Sequence, residues 1–186
     1  MAESSSTIIT FIADSSCNVV PITEWAGTPT LRQDVLPNPV DLVVIIHTVT
    51  HECSTDEECE NVARSIRKFL MQQGQTDVGY SFLVGGNGKV YEGAGWGLVG
   101  AHTMTYNARS IGIAFIGDFR EVLPTPAAMK AAQDLLICGV QNKHLSEEYH
   151  LVGHMQLRKT LSPGPALQNV IQTWPHWLAD TSVLQK

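Results

Sequence analysis

The run Leu42-Val43-Val44-Ile45-Ile46, which leaves through His47-Thr48, decides how this chain is built. Successive side chains of a strand point to opposite faces, so a strand with one wet face alternates apolar and polar residues. Here every position is apolar, and all but Leu42 are β-branched. That predicts a central strand covered on both faces, as in the parallel sheets of α/β proteins. Pro37-Asn38-Pro39 breaks the chain just before it. After it, Ser54-Thr55-Asp56-Glu57-Glu58 carries a capping-box pattern and an acidic first turn. Val62, Ile66, Phe69 and Leu70 then recur at helical spacing, and Gly74 is a plausible stop.

The same alternation continues outward. Ser81 to Val84 reads as a second strand, joined by Gly85-Gly86-Asn87-Gly88 to Lys89-Val90-Tyr91-Glu92 as a hairpin. A glycine-rich loop runs through Gly93, Gly95, Gly97 and Gly100. Ile111 to Ile116 is another buried strand, and Thr125-Pro126 supplies an N-cap and a first-turn proline. The helix they open presents Met129, Ala132, Leu135, Leu136 and Val140 on one face. His150 to Gly153 reads as a short last strand, and a closing helix from Pro165 stops before Pro175. Thr23 to Gly27 reads as a loop anchored by Trp25. The expectation is an α/β fold: a single domain with a central mixed β-sheet flanked by three α-helices. Its bounds are drawn at residues 21–180, after an arm over 1–20 and before a tail over 181–186.

At 186 residues the chain suits one well-cored domain. It is 44% hydrophobic, yet no apolar run approaches the roughly 18 residues of a membrane-spanning helix. The net charge of -6, without any basic cluster, argues against nucleic acid or a membrane surface as partner. Cysteines at 17, 53, 59 and 138 permit three pairings. Cys53 and Cys59 could pair where a strand exit meets a helix start, and Cys17 and Cys138 would then tie the N-terminal segment to a later helix. Two bridges imply an oxidising compartment, whereas free thiols would suit the cytosol. Met1 to Ser6 lacks a basic n-region and Thr7 to Ala13 is short for an h-region. A secreted protein whose leader was removed is therefore the expectation, with an intracellular one as the alternative.

Several blocks, in order and spacing over about residues 20–180, resemble one family. They are Val43 to Thr50, Val78 to Gly88, Val90 to Trp96, Gly100-Ala101-His102-Thr103, Ile111 to Gly117, and Val152-Gly153-His154. The family is the peptidoglycan-recognition proteins, whose fold is shared with the phage-type N-acetylmuramoyl-L-alanine amidases. The ending Trp174-Pro175-His176-Trp177, with Cys17 and Cys138, looks most like the short insect type that senses bacteria upstream of Toll signalling.

In catalytic members zinc is held by two histidines and a cysteine, with a tyrosine assisting. Those positions fall here on Ile46, His154, Ser162 and Tyr80, and Thr160 matches a residue near the metal. A catalytic zinc needs three protein ligands and an open place for water. A neutral hydroxyl is a poor substitute for a thiolate. His47 is expected to point to the opposite face of its strand. The resemblance therefore implies a member that is not an enzyme and needs no metal or cofactor. A hydrolase using Ser162 as nucleophile and His154 as base is the competing idea, although no strained G-x-S-x-G turn accompanies it.

What the resemblance leaves is a groove for a glycan-linked peptide. His47, Thr48, His102, Tyr106, Asn107, His154, Thr160 and Ser162 are its polar candidates, and Tyr80 and Trp96 its walls. Diaminopimelate-type stems carry a carboxylate at their third residue, where lysine-type stems carry an ammonium. Arg120, in the loop after the Ile111 strand, could grip that carboxylate bidentately. The preference is thus read as diaminopimelate-type, with lysine-type as the alternative and a pairing of Arg120 with Asp118 or Glu121 as the bland one. The implied partners are peptidoglycan fragments and downstream immune-signalling proteins, with ligand-linked self-association left open.

Overall fold

Residues 17–30 and 34–185 are described by the computed structural model. Its elements are β1 (Val19–Val20), α1 (Ile22–Trp25), β2 (Val40–His47), α2 (Asp56–Gln72), β3 (Phe82–Val84), β4 (Val90–Glu92), β5 (Ile111–Phe115), α3 (Pro126–Gln141), β6 (Leu145–Gly153) and α4 (Pro165–Ile171). Six strands form one sheet in the order β1-β4-β3-β5-β2-β6. Only β3 and β4 pair antiparallel; the other ladders are parallel, so the sheet is mixed as expected.

The run that opened the reading is the middle of the molecule. β2 lies between β5 and β6, and its side chains divide by parity. Leu42, Val44 and Ile46 join a cluster with Cys59, Val62, Ala63 and Ile66 of α2. Val43 and Ile45 join the cluster formed with Ala132, Leu135 and Leu136 of α3 and with Leu167 and Ile171 of α4. The topology requires this division. The β2-α2-β3 crossover runs one way along the sheet and β5-α3-β6 the other. Crossovers of one hand that run in opposite directions put their helices on opposite faces. Ligands in such sheets bind outside the carboxyl ends of the strands, where the order reverses. Here that place is the end of β2.

The expected helix caps are present. Thr55 Oγ1 accepts from Glu58 N, and the Glu58 carboxylate reaches back to Thr55 N. Thr125 Oγ1 accepts from Ala128 N with Pro126 in the first turn. Arg67 and the buried Asp77 form an ion pair at 2.8 Å, and Asp77 also accepts from Thr30 N and Val78 N. Arg67 donates in addition to Ala26 O and Thr28 O. That network clamps the segment before β2 onto α2 and fixes the entry to Val78–Tyr80.

Four expectations are corrected. The loop at Trp25 contains a fourth helix: α1 buries Ile22 and Trp25, and Trp25 Nε1 donates to Glu92 O. Four residues are too few to show a helical period. The arm boundary at residue 20 falls inside the folded unit, because Val19–Val20 pair with Val90–Tyr91; residues 1–16 lie outside the described residues. The tail from 181 is part of the fold too, since Thr181–Gln185 forms a 3₁₀ turn, Leu184 is buried and Arg109 donates to its carbonyl. Finally, β6 begins at Leu145 rather than His150. It is an edge strand, and the exposed Glu147 and Glu148 that hid it from the sequence reading are what an edge tolerates.

Both bridges are present. Cys17 is joined to Cys138 on α3, and Cys53 to Cys59 on α2. The second closes the loop leaving β2 against the first turn of α2, beside the place where the strand order reverses.

Candidate functional site

A cleft of about 270 Å³ opens at the carboxyl end of β2. Ile46 to Val49 approach it from the strand, Leu70 and Gln75 from the end of α2, and Val78 and Tyr80 from the segment before β3. Ala101 and His102 approach from the glycine-rich loop, and His154, Thr160 and Ser162 from the segment after β6. Larger clefts lie elsewhere, including one of about 380 Å³ at Arg67, Lys68, Met71 and Gln72 near the end of α2. Another, about 690 Å³, lies beside the Cys53–Cys59 bridge, and a further one, about 610 Å³, runs along α3. Size does not decide between them. The smaller cleft is where polar side chains from five segments converge, which is how ligand sites are built.

Its floor is stitched from three loops. Ser162 Oγ accepts from His47 N at 3.1 Å, and Ser162 N donates to Thr160 Oγ1. His47 Nδ1 accepts from Phe119 N at 3.1 Å, and the ring is 1% exposed. Thr48 Oγ1 accepts from Gly117 N, while Val49 N donates to Gly117 O. Gly164, at φ +94°, lies so close to Phe119 O that a side chain would collide with it. The end of β2, the turn 117–120 and the segment 160–164 are thus one unit.

The floor is electrically quiet. Burial pushes the His154 imidazole down to about 4, helped by the charges of Arg158 and His47. Burial also lowers His47, against the pull of Asp118. The Asp118 carboxylate lies 3.8 Å from His47 Nδ1, but that nitrogen is already an acceptor, so the contact is no ion pair at neutral pH. Burial raises the Tyr80 hydroxyl. The His154 Nδ1 and Gln75 Oε1 atoms are buried with no hydrogen-bond partner among the described residues.

A zinc centre of the family's kind does not fit these residues. Ile46 offers hydrocarbon, and Ser162 Oγ is engaged by the His47 amide. Among the described residues no three His, Cys, Asp or Glu side chains are grouped to hold a metal ion. His154 Nδ1 is buried with no hydrogen-bond partner among the described residues, so Ser162 is not joined to that nitrogen.

The expected site residues other than Trp96 separate into three groups. Thr48, Tyr80, His102, His154, Thr160 and Ser162 line the cleft together. His47 also borders it, but its ring turns toward Phe119, 6.5 Å between centroids, as strand alternation predicted. Tyr106, Asn107 and Arg120 lie outside the lining. Asn107 Oδ1 accepts from His102 N and Thr103 N, so it shapes the loop that carries His102. Tyr106 packs against the α2-side cluster and under Arg109. Arg120 is exposed, with its Nε 2.9 Å from both Asp118 oxygens.

Trp96 is a correction. It packs on Phe82 and stacks on His144 at 5.0 Å, against the α3-side cluster and the face of Gly139. That is the face of the sheet opposite the α2-side cluster to which Ile46 belongs. The sequence reading missed Leu70, Gln75, Val78 and Ala101 as lining residues. No local pattern marks them, because the path of the chain from α2 to β3 puts them there.

A model of the N-acetylmuramoyl-L-alanine amidase family matches residues 36–165. The chain is 49% identical over 163 residues to a peptidoglycan recognition protein of Trichoplusia ni, covering 87% of this chain and 90% of that one. It is 48% identical over 158 residues to peptidoglycan-recognition protein SA of Drosophila melanogaster, covering 84% and 78% respectively. Among solved structures it resembles a chain of the ectodomain complex of peptidoglycan recognition proteins LCa and LCx bound to tracheal cytotoxin. The TM-score is 0.85 at 44% identity, over 87% of this chain and 99% of that one.

Proposed function

The chain belongs to the peptidoglycan-recognition proteins, within the N-acetylmuramoyl-L-alanine amidase family, and on that premise we propose that it binds peptidoglycan stem peptides without cleaving them. The observation that carries this is the floor of the cleft. Ile46 and the hydrogen-bonded Ser162 line it, and by the family resemblance these are two of the three protein-ligand positions of a hydrolytic zinc. The cleft keeps the donors and acceptors that a peptide bearing amides and carboxylates requires. Its role is that of an immune receptor that passes the signal to other proteins, and the two disulfides suit a secreted site of action. The resemblance to a receptor complex that holds a peptidoglycan fragment supports ligand-linked assembly as part of that role.

Which stem it favours is read at the turn beyond the cleft. A diaminopimelate carboxylate can replace Asp118 in the fork of Arg120, because an exposed ion pair is exchanged for another at little cost. The lysine-type reading has its own observation. Asp118 is a half-buried carboxylate on the same turn, able to take an ammonium once Arg120 swings away. We favour the first, since a planar fork matches a carboxylate in two bonds. Calorimetry with both muropeptide types separates the two. Arg120→Ala is expected to weaken diaminopimelate-type binding about tenfold and spare the lysine type. A loss confined to lysine-type binding in Asp118→Asn would support the alternative. Failure to bind either type would overturn the receptor reading.

A further inference from the structure

His47 looks at first like a ligand-binding histidine, since it borders the cleft and ends its central strand. Its amide and its Nδ1 are otherwise engaged. The main-chain amide donates to Ser162 Oγ, and Nδ1 accepts from the Phe119 amide at 3.1 Å in a buried environment. Phe119 is 2% exposed and its ring stands edge-on to Phe115. It lies between the two residues whose charges face outward, Asp118 and Arg120, and Arg120 N itself donates to Asp118 Oδ1 at 3.3 Å. The ring nitrogen of His47 therefore holds the buried hub of the turn whose exposed ends carry the charge.

We propose that His47 is a positioning residue for stem discrimination: through Nδ1 it fixes the Phe119 amide and so sets where Asp118 and Arg120 meet the third residue of the bound peptide. The discrimination part rests on the reading of Arg120 given above. The physical case is the direction of the bonds. A turn held only by its own Asp118–Arg120 pair would move when a ligand carboxylate displaced Asp118. Anchored at Phe119 from below, it keeps its place while the exposed pair exchanges. Thr48, which accepts from Gly117 N, supplies the second anchor on the same strand end.

Two substitutions isolate the nitrogen. Asn places Oδ1 where His carries Nδ1, so His47→Asn keeps an acceptor for Phe119, whereas His47→Leu keeps bulk and loses it. In the full chain, His47→Leu is expected to lower the affinity ratio of diaminopimelate-type to lysine-type muropeptide about tenfold. It should also accelerate hydrogen exchange at the Phe119 amide. His47→Asn should restore both. In an Arg120→Ala background His47→Leu should leave the ratio unchanged. A ratio unchanged in His47→Leu, or lost equally in His47→Asn, would overturn the assignment. If the wild type does not discriminate, the reading of Arg120 falls and the discrimination role with it. Phe119 exchange then still decides whether His47 holds the turn, with unchanged protection in His47→Leu overturning that as well.

Discussion

The floor of the cleft and the turn beside it are built on opposite principles. On the floor, Ser162, His47 and Phe119 are linked by buried hydrogen bonds between neutral groups. On the turn, the half-buried Asp118 and the exposed Arg120 are charged and satisfied chiefly by each other. Burial lowers the histidines of the floor, whereas on the turn the Arg120 guanidinium lowers Asp118 and the carboxylate raises Arg120. Buried neutral bonds are expensive to break and insensitive to salt, while exposed charge pairs exchange readily. On the proposed function, holding a stem peptide and telling one stem from another are therefore separable tasks. The two regions are joined through the Phe119 amide on His47 and through Gly117 on Thr48 and Val49.

The largest expected effect comes from breaking the floor. Ser162→Ala leaves the His47 amide buried without its acceptor and should lower unfolding stability by about 1–3 kcal/mol, read from the denaturant midpoint. Asp118→Asn should leave that midpoint where it is. If both substitutions moved it equally, the contrast would be wrong.

A smaller effect separates the two regions by pH. The folded-state value of His154, about 4, lies below the ordinary 6.5. As pH falls, the unfolded chain takes up this proton before the folded one does. The stability contribution is therefore intact above about pH 6.5 and lost progressively down to about pH 4. His47 and His144 are lowered in the same direction and add to the slope. Arg120 lowers Asp118 from its ordinary 3.8, so the turn's contribution is lost only at the acid edge of this window and below it. Stability measured by denaturant at stepped pH should fall between 6.5 and 4, and His154→Gln should remove part of the slope. A flat profile, or a slope unaffected by that substitution, would place the floor histidines in water.

How much of this was legible in the sequence depends on how local the signal is. β2 was legible because burial on both faces leaves a run with no polar interruption, and the ends of α2 and α3 because Thr55, Glu58 and Thr125 cap within their own first turn. The family's blocks brought Thr48, Tyr80, His102, His154, Thr160 and Ser162 to one cleft. Trp96 was misplaced because flanking glycines announce a close approach without saying which face receives it. The sequence named Asp118 and Glu121 alike as partners for Arg120, and the structure selects Asp118. Whether a residue two positions away can fold back onto a guanidinium depends on the turn, which Phe119 and His47 set from across the sheet. Gln75 and Leu70 join the lining only through the path of the chain after α2. Elements and ligand positions are written in periodicity and motif; the division between floor and rim is written in tertiary contacts.

The central claim is that this cleft holds a stem peptide and leaves it whole. The most direct test incubates the purified protein, supplied with zinc, with a diaminopimelate-type muropeptide that calorimetry shows it to bind, and weighs the recovered ligand by mass spectrometry. One species of unchanged mass is expected. A free stem peptide beside a lactyl-bearing glycan would contradict it, because a chain with Ile46 and Ser162 at its floor would then be cutting the bond it is built only to hold.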